Sequence, residues 1–150
     1  MGAVANEIDV FGEMYFNSCV TPLEATLLVK DQYYTLQGLT EGLKFNMDLD
    51  GTNGKWTVKY DGVYFVSGVA SLFPSGGALI RFTLFKNEDG QLNICTALSF
   101  KNNQDTNTFS GSGFVRLNAG DVLTVRAASD TVPITVDLTN FNVSFMLMRS

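Results

Sequence analysis

Asp48-Leu49-Asp50-Gly51-Thr52-Asn53-Gly54 is the stretch of this chain that comes nearest to a cation loop. An EF-hand loop alternates acidic or amide side chains ahead of a glycine and closes on a glutamate, because calcium needs several oxygen ligands on one turn. Thr52, Asn53 and Lys59 occupy the positions where that pattern needs Asp or Asn, glycine and glutamate. The segment therefore reads as a turn between strands. Glu88, Asp89, Asp130 and Asp137 lie beside turn residues or at expected strand ends, and no spacing holds two of them at the separation glycoside hydrolysis needs. They read as solvated acids. Ser110-Gly111-Ser112-Gly113 lacks the lysine and the following helix of a phosphate cradle, so it reads as small residues packed close to another backbone. Asn142-Val143-Ser144 fits the glycosylation sequon, but a chain expected to fold in a cytoplasm would not meet the transferase. Tyr33 and Tyr34 read as exposed aromatic platforms for a glycan or receptor, while Trp56, alternating with Val58 and Tyr60, reads as core. The sequence contains no histidine, which removes Ser-His-Asp triads, Cys-His pairs and His-ligated metals. No catalytic residue, metal ligand or cofactor site is assigned, and the expectation is a protein that is not an enzyme.

The 150 residues suit one domain, and their composition narrows the partners. Ten Lys plus Arg stand against fifteen Asp plus Glu, a formal charge of −5 with no basic cluster, so nucleic acid is not an expected partner. Apolar residues make up 45% and charged residues 17%, which is too hydrophobic for a disordered segment. No apolar run approaches the ~20 residues of a membrane helix, so membrane insertion is not expected. Cys19 and Cys95 lie far apart, and Cys95 sits in an apolar segment, where a buried free thiol is expected. The start, Met1 to Glu7, has neither a basic n-region nor a long apolar stretch, and Asn6 stands where myristoylation needs Ser or Thr. Folding in a cytoplasm is the expected route.

Those residues must be positioned by strands. Asp50-Gly51, Asn53-Gly54, Asp61-Gly62, Gly76-Gly77 and Asp89-Gly90 are turn signals, and between them lie runs rich in Val, Phe, Thr, Leu and Tyr. Period-two alternation recurs. Leu43, Phe45, Met47 and Leu49 share one side of their run, as do Trp56, Val58 and Tyr60, then Ile80, Phe82 and Leu84. Thr21 to Leu28 begins like a helix but turns β-like within a few residues. About ten antiparallel strands in two sheets are expected, with residues 1–10 as a tail and 11–150 as a single domain. Two strands are apolar on both sides. In Gly62 to Phe73, Val63, Phe65, Val69 and Phe73 oppose Tyr64, Val66, Ala70 and Leu72. In the last strand Phe141, Val143, Phe145 and Leu147 oppose Met146 and Met148. A strand apolar on both sides needs a cover on both: a partner, or residues 10–40 of the chain itself.

From about residue 43 onward the chain resembles the jelly-roll domain shared by the complement component 1q globular head and the tumour necrosis factors. The carrying residues are Gly62-Val63-Tyr64-Phe65-Val66, Phe82 to Asn87, Phe109 to Val122 with its Gly120-Asp121 turn, and Phe141 to Leu147. Gly62, Tyr64, Gly120, Asp121, Phe141 and Phe145 are the residues that define the fold in this resemblance. Val66 replaces the family's usual phenylalanine, and the Lys86-Asn87 turn continues through Glu88-Asp89-Gly90. Phe11-Gly12-Glu13-Met14-Tyr15-Phe16-Asn17 is similar to a short Gly-Glu-Met-Tyr lead-in on jelly rolls of tailed-phage structural proteins. The resemblance implies a homotrimer packed through the inner sheets, which assigns Val63, Phe65, Val69, Met146 and Met148 to the interface. It further implies a structural or attachment role in a phage virion (head fibre, decoration or tail-appendage knob), with other virion proteins and a host surface glycan or protein as partners. The alternative is a soluble trimeric recognition ligand of the same fold on a bacterial or animal cell surface.

Overall fold

The structure is a computed structural model that describes residues 9–18, 20–101 and 106–150. Cys19 and the first eight residues of the expected tail lie outside the described residues. The strands are β1 (Phe11–Asn17), β2 (Leu23–Leu27), β3 (Tyr34–Thr35), β4 (Thr40–Phe45), β5 (Met47–Asp50), β6 (Lys55–Val58), β7 (Gly62–Pro74), β8 (Ala78–Lys86), β9 (Asp89–Phe100), β10 (Asn107–Leu117), β11 (Val122–Ser129) and β12 (Ile134–Arg149). The first sheet runs β10-β7-β12-β1-β4, with β2 also on β12; the second runs β5-β6-β11-β8-β9, with β3 on β11. Every pairing is antiparallel. This is the expected all-β two-sheet sandwich, with twelve strands rather than about ten.

The additional strands come from short segments and one break. Asn46 takes a left-handed backbone, φ 56°, and donates from Nδ2 to the Asp9 carbonyl at 3.0 Å. The chain leaves the first sheet there and enters the second, so the expected apolar side of Leu43, Phe45, Met47 and Leu49 is split. Leu43 and Phe45 are 76% and 53% exposed while Met47 is buried. An asparagine tolerates positive φ, and one such residue between two alternating runs swings the second run onto a different layer. Packing also begins one residue before β1: Val10 is buried, and its carbonyl accepts from the Leu147 N–H at 2.9 Å.

The core lies between the sheets and takes the inward side of each alternating strand. Tyr64, Val66, Ala70 and Leu72 of β7 meet Phe141, Val143 and Phe145 of β12 and Ile80, Phe82 and Leu84 of β8, all buried. Trp56 is fully buried against Phe145, ring centroids 5.1 Å apart, as its alternation required. Tyr64 keeps its hydroxyl satisfied by donating to the Tyr60 carbonyl at 2.7 Å; burial, then nearby Asp61, raises its pKa. Cys95 departs from expectation. It is exposed, because its register partner on β8 is Thr83, which faces away from the core, and Thr83 Oγ1 donates to its sulfur at 3.1 Å.

Gly62 begins β7 where the end of β12 crosses closest. A Cβ there would collide with Leu147 Cδ1 and come within 2.5 Å of the Arg149 carbonyl oxygen. Backbone cannot yield as a flexible side chain can, so Gly62→Ala is expected to cost about 1–3 kcal/mol. The check is a lower urea midpoint at unchanged denaturant slope.

Candidate assembly surface

Register places one continuous row of large apolar side chains across the outward face of the first sheet. Phe114 of β10 stands opposite Phe65 of β7, Phe65 opposite Met146 of β12, Met146 opposite Phe11 of β1, and Phe11 opposite Phe45 of β4. Directly opposite residues share a face, so the row crosses all five strands. Phe114 is 58% exposed, Phe45 53%, Met146 46% and Phe11 37%. Phe65 and Phe114 tilt together at 5.3 Å, and Phe11 stacks on Phe45 at 6.2 Å. Val69 and Tyr15 extend the apolar area one side of a Ser112-Ser67-Ser144-Glu13 row. Val63 lies at the other end, between Arg116 and Arg149. Met148, half-exposed, occupies the bulge between Leu147 and Arg149.

All five sequence-assigned interface residues thus lie at the outward side or end of one sheet. The alternative cover, the described residues of 10–40, does not lie over them. β1 extends the sheet sideways and adds Phe11 to the row, and β4 adds Phe45. Phe11, Tyr15, Phe45 and Phe114 were not legible as part of the face, because they come from strands distant in sequence. Phe114, one bulky residue after Ser110-Gly111-Ser112-Gly113, is the single local signal. The near neighbours of those small residues are side chains rather than the expected backbone: a Cβ on Gly113 would lie 3.1 Å from Ile94 Cγ1 of β9, and one on Gly111 3.6 Å from Thr96 Oγ1.

The outward face of the second sheet is different in kind. Lys59 pairs with Asp48 at 3.2 Å, Arg81 with Asp31 at 3.0 Å, and Arg126 with Glu88 at 3.1 Å. The Arg126 guanidinium also lies 4.4 Å from the Phe85 ring centroid. Tyr33 packs on the same ring at 5.1 Å, and its hydroxyl is 3.2 Å from Thr83 Oγ1. Tyr34 stands on β3, packs against the core and accepts the Val29 N–H at 3.0 Å. The expectation of two exposed stacking platforms is corrected. Both tyrosines are half-buried, with their hydroxyls engaged inside the chain, because residues 31–36 bond to the second sheet.

The acidic side chains are held by local structure. Asp50 accepts the N–H and Nδ2 of Asn53 at 3.1 and 2.8 Å, and these bonds lower its pKa. That is a turn, with Asp48 directed to Lys59 instead. The Leu79 N–H holds Asp130 below the ordinary carboxylate range, and Arg126 does the same for Glu88. Asp121 accepts the Asn118 N–H at 2.8 Å and Asn87 Nδ2 at 3.1 Å, while Asn87 Oδ1 accepts the Val122 N–H at 3.0 Å. The Lys86-Asn87 and Gly120-Asp121 turns are therefore tied to one another, and Gly120 supplies the positive φ of 94° that the second needs. This turn carries the chain from the first sheet to the second. Asp137 corrects the reading of strand-end, solvated acids. It lies within β12, directly opposite Glu24 of β2, and its Oδ1 is buried without a hydrogen-bond partner. Among the described residues no cluster of three or more acidic or cysteine side chains could hold a metal, and no helix is long and apolar enough to cross a membrane.

Strand order and connection define an all-β sandwich of the tumour-necrosis-factor type, and comparison with solved structures agrees. Eiger TNF from S. frugiperda is similar over 95% of this chain and 94% of that one, at TM-score 0.68 and 16% identity. Murine APRIL at pH 5.0 is similar over 93% and 99%, at TM-score 0.60 and 11% identity. No family model and no curated protein matches the sequence.

Burial, then the charge of Glu24, raises the Asp137 pKa above 3.8. A carboxyl with a raised folded pKa binds its proton more tightly in the folded state. Folding is favoured as pH falls through that value, and the ionised form is penalised above it. Asp137→Asn is therefore expected to be more stable than the parent at pH 7. Urea unfolding should show that gain fading as the pH falls toward 3.8.

Proposed function

We propose that this protein is a non-enzymatic homotrimer, and that it serves as a structural or attachment component of a phage virion, as a head fibre, decoration or tail-appendage knob. The observation that carries the trimer is the Phe114-Phe65-Met146-Phe11-Phe45 row, a half-exposed apolar band that nothing in the described chain covers. Large apolar patches rimmed by polar groups mark interaction sites, and this one has serine, asparagine and arginine along its margins. A closed cyclic assembly buries the same band on every copy. Val63, Phe65, Val69, Met146 and Met148 are its contact residues, with Phe11, Phe45 and Phe114 added by register.

The virion role is supported by the Phe11-Gly12-Glu13-Met14-Tyr15 lead-in, which forms β1 and contributes Phe11 and Tyr15 to the face. Its mechanism is geometric: three copies multiply weak contacts to capsid neighbours or to a host glycan or protein through effective concentration. A second reading, a soluble trimeric recognition ligand on a bacterial or animal cell surface, is favoured by the likeness to Eiger TNF over nearly the whole of both chains.

Sedimentation equilibrium at micromolar concentration is expected to give three times the 16.4 kDa chain mass. Phe65→Asp should weaken association by roughly a hundredfold or more, since it removes a central aromatic contact and buries a charge. A monomer in the parent protein, or an unaffected trimer in Phe65→Asp, overturns the assembly. Co-purification with density-banded phage particles tests the virion role, and saturable binding to intact cells without particles would favour the second reading.

A further inference from the structure

β2 is attached along one edge only. Leu23–Leu27 pairs with Ile134–Leu138 of β12, and among the described residues no main-chain hydrogen bond reaches its other edge. An unpaired edge is a template for another strand. Beside it a cleft of about 220 Å³ separates β2 from the β3 segment of the second sheet; Glu24 stands at its rim, and Ala25, Tyr34, Thr35, Leu36 and Leu138 also line it. Ala25 is small, so an inward side chain next to it has room.

The outward side of the same strand has an unbalanced charge. Exposed Glu24 stands opposite Asp137, and Asp137 stands opposite apolar Phe73 of β7 on its other side. The ion pairs among the described residues involve neither acid. Asp137 Oδ1 is buried with no partner. A strand added to the free edge of β2 would place one residue opposite Glu24 on this face and direct the residues before and after it toward the cleft.

We propose that the free edge of β2 accepts an extended peptide segment by strand addition, with a lysine or arginine of that segment opposite Glu24 and apolar side chains on either side directed into the β2–β3 cleft. Main-chain bonds supply affinity in this mode, and alternate side chains supply specificity. Charge complementarity selects such a peptide over a second copy of this chain, because self-pairing across β2 would gather four acids on one face without a cation. The site is separate from the assembly face: Phe73 lies four residues beyond Val69, the nearest assembly contact on β7, roughly 13 Å along an extended strand. Both surfaces can be occupied together.

The test uses the full chain, ¹⁵N-labelled, titrated with the blocked peptides Thr-Val-Lys-Val-Thr and Thr-Val-Glu-Val-Thr. The lysine peptide is expected to shift the amide signals of residues 23–27 and slow their hydrogen exchange, and to bind roughly fivefold or more tightly than the glutamate peptide. Glu24→Lys should reverse that order, and Glu24→Gln should bring the two peptides close together. Amides 23–27 unmoved by either peptide, equal affinity for both in the parent chain, or an order unchanged by Glu24→Lys would overturn the proposal. So would concentration-dependent protection of these amides without peptide, which would mean that a second copy fills the edge.

Discussion

The antiparallel register between β7 and β12 runs the length of the first sheet, and the rest of the molecule is arranged around it. A slip of one residue would exchange every inward side chain for its outward neighbour. Tyr64, Val66, Phe141 and Phe145 would then leave the core, and Phe65 and Met146 would enter it. Several features pin the alignment. Gly62 admits the end of β12 at a distance no side chain tolerates, Tyr64 is anchored through its hydroxyl to Tyr60, and Trp56 packs from the second sheet onto Phe145. Bulges fall between Leu138 and Asn140 and between Leu147 and Arg149. Each bulge absorbs one residue without disturbing the alternation over the pairs between them.

With that register in place, the two outward faces divide the chemistry of the chain. The second sheet turns out arginine, lysine, threonine and acids that pair with one another, and Tyr33 helps to cover it from the chain itself. The first sheet turns out phenylalanine, methionine and valine over the same breadth. Exposed ion pairs contribute little to stability, with a typical value of about 0–1 kcal/mol, so the first contrast concerns solubility more than folding. The apolar band matters more. Side chains of this size repay burial, and a sandwich has only one interior to bury them in.

The acids show how a site can be absent even where its residues are present. Asp50, Asp121, Asp130 and Glu88 each hold a turn, a strand end or an arginine, and each is satisfied by its own surroundings. Chemistry needs groups whose demands remain open. Asp137 is the exception, a carboxylate held beside another carboxylate and an aromatic ring, on a strand with one edge unpaired. The polar interest of this molecule therefore lies at a sheet edge, away from the loops where the motifs had drawn attention.

Period-two alternation is a local property, and it was enough to read β7 and β12 as apolar on both sides and Trp56 as core; the Gly120-Asp121 turn was legible instead from the resemblance and from glycine's freedom at positive φ. The same alternation misread Leu43 to Leu49 as one strand, because an asparagine at positive φ leaves the pattern of side chains intact while changing the sheet. Tyr33, Tyr34 and Cys95 were misread from residue type and local hydropathy, because their exposure depends on how residues 31–36 and β9 lie against the second sheet. The row from Phe114 to Phe45 joins residues from strands scattered between positions 11 and 146. Alternation assigns each of them to one side of its own strand; which of them stand side by side is decided by register across long loops, and register follows from the packing of the whole sandwich.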